Sequence, residues 1–163
     1  MEVVAHHLQL EALRRAMQQE GDQFGRSSYN RYYYATFLRV RTMISALDAK
    51  WSQLPHADYP MTLRGAVKKK LQEGRKRALK VGDHEIVAAC ARAISAASEI
   101  ANLMESASAT RVVADYNPQI PITFLGNGRF SLNNINITEA HDWPVRADTW
   151  SSVIEKTWVQ LGG

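Results

Sequence analysis

Arg111 and Asp115 stand four positions apart in "TRVVADYNP", residues 110–118, with Tyr116 directly behind the acid. An arginine stays charged at any ordinary pH and offers a fork of donors to an anion. An aspartate with an ordinary pKa of about 3.9 is ionised at neutral pH. Asp115 can therefore accept a proton but has none to give. On one helix, residues i and i+4 face each other, so the same two residues also read as a structural ion pair. The five histidines are His6, His7, His56, His84 and His141. None stands at metal-ligand spacing from another His, Cys or carboxylate, apart from the adjacent pairs His84/Glu85 and His141/Asp142. They read as surface or helix-terminal residues. "GNG" at 126–128 has no Lys-Ser/Thr behind it and fits a turn rather than a phosphate loop. There is no nucleophile elbow and no zinc signature, so neither metal nor cofactor is expected.

Charge supplies a second feature. The net charge of +4 says little, but its distribution says more. Arg64, Lys68, Lys69, Lys70, Arg75, Lys76, Arg77 and Lys80 are opposed only by Glu73, which puts 8 of the chain's 20 basic residues into 17 positions. On a helical wheel they cover a broad outer face opposite Leu63, Val67 and Leu71. Such a face is a solvated amphipathic surface in the plain reading. In the sharper one it is a platform for RNA phosphates, whose binding weakens steeply with salt. An acidic protein would use the same surface.

The elements that must position these groups are helical. Apolar periodicity predicts helices over about 3–19, 27–49, 62–80 and 83–116, with Ser27 or Ser28 capping the second and Asp83 the fourth. The first takes Val4, Leu8 and Leu13 as apolar positions; the third takes Leu63, Val67, Leu71 and Leu79. Pro118 and Pro121 end the pattern. "ITFLGNGRFSLNNINI", 122–137, alternates weakly around Gly126-Asn127-Gly128 and predicts a short hairpin or extended loop. A last helix begins near Thr138, with Trp143, Trp150 and Trp158 on one stripe and Pro144 starting its regular part or kinking its first turn. The tryptophans read as core, with a share left for a dimer or partner contact. The expected fold is all-α: an antiparallel four- to five-helix bundle with a short irregular or hairpin insertion before the last helix, forming a single domain over 1–163.

The composition is that of a globular protein long enough to bury a core without disulfides, and the single Cys90 among alanines is a small buried filler. "MEVVAHH" holds no apolar core of signal-peptide length. Arg92 and Glu99 interrupt the most apolar stretch, 86–104, so no membrane span is expected. The expected setting is cytoplasmic.

In "SSYNRYYYATFLRVR", residues 27–41, Tyr29, Tyr33 and Phe37 fall on the inner stripe, while Tyr32 and Tyr34 flank it and are expected to line a cleft or dimer seam. This stretch and the one around Arg111 together resemble the HEPN family of small helical bundles. Ser27, Tyr29, Arg31, Tyr33, Tyr34 and Ala35 match its Ser-x-Tyr-x-Arg-x-Tyr-Tyr-Ala start. Arg111, Ala114, Asp115 and Tyr116 match its Arg-x-x-Ala-Asp-Tyr ending. The resemblance implies a prokaryotic toxin–antitoxin or antiviral defence protein. It also implies a homodimer or a hetero-complex with a cognate antitoxin or effector, and RNA as the target. Many HEPN proteins are metal-independent endoribonucleases, in which an arginine stabilises the phosphorane and a histidine handles protons. Here Arg111 matches that arginine, but Asp115 occupies the histidine position. By this resemblance Arg111, Asp115, Tyr116 and Arg31 form the candidate catalytic set, with Arg31 a candidate partner of Asp115. A non-catalytic assembly or regulatory subunit is the competing expectation.

Overall fold

The computed structural model of the protein describes residues 1–162. The fold belongs to the helical-bundle class, with one small antiparallel sheet. Its helices are α1 (Glu2–Arg14), α2 (Gln19–Leu47), α3 (Tyr59–Thr62), α4 (Lys68–Val81), α5 (His84–Tyr116) and α6 (Ile137–Gln160). A π-helical turn, Leu63–Val67, joins α3 to α4, so the third expected helix is present with one widened turn. Two 3-10 turns, Ala49–Gln53 and His56–Asp58, fill the link after α2.

The main departure lies at the start of α2. Ser27 and Ser28 do not cap it; the helix begins eight residues earlier, at Gln19. Glycines at 21 and 25 mimic a loop in the sequence, but Gly21 marks a close approach. A Cβ there would stand 2.4 Å from the Arg15 carbonyl oxygen, in the turn that follows α1. Ser28 lies mid-helix, its hydroxyl donating to the Gly25 carbonyl at 2.6 Å. The other end of the prediction holds: Asp83 Oδ1 accepts the Ile86 N–H at 3.0 Å and caps α5. α5 is the one described helix long and apolar enough to cross a bilayer. Its apolarity is largely alanine, and Ala93, Ala96, Ala97, Ile100 and Ala101 are buried within the protein.

The insertion is a three-stranded meander, β1 (Thr123–Gly126), β2 (Arg129–Leu132) and β3 (Ile135–Asn136). Both of its turns have two residues. Asn127-Gly128 takes φ of 50° and 68°, and Asn133-Asn134 takes 49° and 66°. Two successive left-handed residues make the tight turn whose twist suits a hairpin. The sequence signalled the first turn; the second, made of two asparagines, carries the extra strand.

The chain forms two compact units, 1–36 with 105–145 and 37–104 with 146–163, and α2, α5 and α6 each contribute a stretch to both. In the first, Tyr29, Tyr32, Phe130, Leu132 and Trp143 are fully buried. The Tyr29 hydroxyl donates to the Ile135 carbonyl at 2.6 Å and ties the sheet to α2. Pro144 sits inside α6, seven residues past its start, rather than in its first turn. Tyr32 does not line a cleft: it is buried, 2.7 Å from Gln9 Oε1 and 2.8 Å from His141 Nδ1. Its neighbour Tyr34 is half-buried, its ring edge-on to Tyr33. Val4, one of the apolar positions of the first helix, is 49% exposed.

In the second unit, Phe37 stacks on His56 with ring centroids 3.6 Å apart and on Tyr59 at 5.5 Å. The buried Trp158 donates its Nε1–H to the Leu47 carbonyl at 3.1 Å. Leu63, Val67, Leu71 and Ile154 complete this core, whereas Leu79 is 54% exposed. Trp143 and Trp158 are core residues; Trp150 is half-buried, with the Arg146 guanidinium 4.9 Å from its ring centre.

Candidate functional site

The C-terminal end of α5 leaves carbonyl oxygens without intrahelical partners, and the prolines behind it prevent the helix from continuing. Arg26, from the first turns of α2, supplies what they lack. Its Nη1 donates to the carbonyls of Val113 (3.2 Å), Ala114 (3.2 Å) and Asn117 (3.3 Å), and its Nη2 to those of Pro118 (3.3 Å) and Ile120. Its Nε pairs with Asp22 Oδ2 at 2.7 Å, while Asp22 Oδ1 accepts the Ile122 N–H at 2.7 Å. A cation at a helix C-terminus also lies at the favourable end of the helix dipole. Asp22 and Arg26 thus clamp residues 117–122 against α2.

On that clamp rests a polar cleft of about 320 Å³, lined by Gln23, Arg26, Ser27, Asn30, Arg31, Ala114 and Asp115. Both motif stretches contribute to it. Asp115 is held from two sides. Arg111 Nε lies 2.7 Å from its Oδ2, and Asn30 Nδ2 donates to its Oδ1 at 2.7 Å. The Arg111 N–H is not directed at the carboxylate, so this contact is one of charge rather than an aligned hydrogen bond. Desolvation works against the Arg111 charge, but Asp115, Tyr34 and Tyr116 outweigh it and raise its pKa above the ordinary arginine value. Tyr116 is 67% exposed, with its ring 5.5 Å from the Arg111 guanidinium.

Arg31 lines the same cleft but does not meet Asp115; Asn30, one residue earlier, takes that place. The shift is a matter of helix phase, since consecutive residues point about 100° apart. Arg31 is exposed and makes no ion pair or side-chain hydrogen bond with any described residue. No histidine lines the cleft. His141 is tied to Tyr32, and His6 packs edge-on against it at 5.3 Å. Among the described residues, no group of three or more His, Cys, Asp or Glu is placed to hold a metal.

Sequence reasoning missed Asp22, Arg26 and Asn30. With α2 taken to start at Ser27, the first two fell outside the helix. Their i, i+4 spacing was the signal available.

The basic residues lie elsewhere, on the second unit. Lys69, Arg75, Lys76, Arg77 and Lys80 are exposed on α4; Lys68 and Lys70 are half-buried. Lys70 Nζ stands 4.1 Å over the Trp158 ring, and Arg64 donates to Asn102 Oδ1 at 2.6 Å. Compared with protein-family models, curated proteins and solved structures, the chain finds no match.

Proposed function

We propose that the chain is an RNA-directed HEPN-like protein of a prokaryotic toxin–antitoxin or antiviral defence system. In this reading it acts in the cytoplasm as a homodimer or beside a cognate antitoxin or effector, and its cleft holds the RNA without cutting it. The observation that carries the reading is the state of Asp115. The residue in the proton-handling position has one carboxylate oxygen against Arg111 and the other on Asn30. A carboxylate with both oxygens so engaged is not placed to pass a proton to a leaving 5′-oxygen, and it sets an acid beside a phosphate that must become more negative. The binding groups remain. Arg31 faces the cleft unpaired and suits a phosphate. Tyr116 offers an open ring on which an unpaired base can stack.

The catalytic alternative assigns transition-state stabilisation to Arg111, the histidine's place to Asp115 and support to Tyr116 and Arg31. The two are separated by incubating purified protein with total RNA and EDTA. Intact RNA with the unaltered protein is the expected result. Cleavage that disappears in Arg111→Ala would establish the nuclease instead.

A further inference from the structure

α4 carries charge that no acidic group among the described residues neutralises by an ion pair. Lys68, Lys69, Arg75, Lys76, Arg77 and Lys80 form no ion pair or side-chain hydrogen bond among the described residues. Glu73, the one acid between Arg64 and Lys80, stands within four residues of Lys69, Lys70, Lys76 and Arg77 and pairs with none of them. Like charges at i, i+4 and i, i+3 work against a helix, so this surface is most stable against an anion.

The placement of the charges says what shape of anion. With about 100° between successive residues, Lys69, Lys76 and Lys80 form one ridge, with the exposed Glu73 between them, directly opposite the buried Leu71, Gly74 and Ala78. Lys68 and Arg75 fall on one flank of that ridge, Lys70 and Arg77 on the other. The cations therefore cover an arc of roughly 220° around the helix. A flat anionic surface would meet the ridge and leave the flanks unmatched. A groove with a phosphate wall on either side meets both.

Two further points narrow the partner. Residues 64–80 contain no aromatic side chain, so α4 has no platform on which unpaired bases could stack. Trp158, the ring that α4 does touch through Lys70, is buried. Among duplexes, the B-form major groove, about 12 Å wide, admits an α-helix, whereas the A-form major groove is too narrow and deep for one. We propose that α4 is a duplex-DNA-binding helix that lies in the major groove, its ridge inward and its flanks toward the two phosphate backbones. The DNA activity is distinct from the RNA reading of the cleft and does not rest on it.

The test is fluorescence anisotropy with the intact protein and three labelled probes of equal length: a mixed-sequence DNA duplex, the matching RNA duplex and single-stranded RNA. The DNA duplex should bind tighter than the RNA duplex, with affinity falling steeply as salt rises. Lys69→Glu/Lys76→Glu should weaken DNA binding at least about tenfold and lower the salt slope by about two. Lys69→Gln/Lys76→Gln, free of introduced acids, should fall in between, and circular dichroism checks that both variants fold. Equal or tighter binding of the RNA duplex would overturn the proposal, as would single-stranded RNA binding that the α4 variants weaken as much as they weaken DNA binding, since RNA held by the cleft alone is untouched by them. So would polyglutamate displacing the DNA at matched charge, which would mark a protein partner, or unchanged DNA affinity in the folded variants. The RNA reading fails separately, in the cleft variants.

Discussion

Asn30 Nδ2 donates to Asp115 Oδ1 at 2.7 Å, joining the first motif stretch to the second across 85 positions of sequence. With Arg111 on the other oxygen, Asp115 becomes a fixed acceptor at the head of a cleft that Arg31 leaves open to an anion. Removing either partner tests how much this costs. Asn30→Ala and Asp115→Ala are each expected to lower unfolding free energy by about 1 kcal/mol, read from urea denaturation. Changes no larger than the roughly 0.5 kcal/mol typical of surface sites would show that the contact is not structural.

Arg26 is expected to matter more. Its side chain is only 12% exposed and serves five carbonyls and Asp22. Arg26→Met should cost about 3 kcal/mol, the scale for breaking a largely buried ionic network. Arg26→Lys should recover little, because a point ammonium cannot reproduce the guanidinium fork. Chemical denaturation of both variants decides it; full rescue by lysine would contradict the clamp.

The legibility of the sequence follows the same residues. The elements with strong periodicity were readable: α5 with its Asp83 cap, the turn at Asn127-Gly128, and a last helix carrying Trp143 and Trp158. What hid were glycines used for contact instead of flexibility. Gly21 and Gly25 disguised eight residues of α2, and with them the Asp22–Arg26 clamp. The cleft was legible as a meeting of two stretches but not in its pairing, since one step of helix phase exchanges Arg31 for Asn30. Tyr32 was misread because its polar partners, Gln9 and His141, come from two other helices with no sequence pattern linking them.

Burial raises the pKa of Tyr29 and Tyr32 well above the ordinary phenol value. A raised native pKa gives stability that is complete below the unfolded value, about 10, and is lost as pH rises past it. Burial raises Tyr33 and Tyr59 as well, so alkaline titration followed by phenolate absorbance should show four of the six tyrosines ionising above the ordinary phenol range. Tyr32→Phe should leave three, and should cost about 1 kcal/mol by removing the hydroxyl that lies between Gln9 and His141.

Glu155 lies on α6 beside Asp148, in a cleft with the Arg39–Asp148 ion pair and the buried, unpartnered Ser151 hydroxyl. Desolvation, then the Asp148 charge, raises its pKa. For an acid this means stability is greater when it is protonated and declines as pH rises above the unfolded value of about 4.3. Glu155→Gln should therefore flatten the decline in melting temperature from acid to neutral pH. A variant with an unchanged pH profile would remove the cause named here.

The most direct test of the account is the affinity of a labelled single-stranded RNA for the cleft, measured with EDTA present and the RNA checked for integrity afterwards. Arg31→Ala, which removes the unpaired cation without touching Asp115, is predicted to weaken binding at least about fivefold, the loss of a charge-assisted contact of about 1 kcal/mol, with the RNA intact throughout. Unchanged affinity in that variant, or RNA cut by the unaltered protein, would contradict a cleft that binds without cleaving.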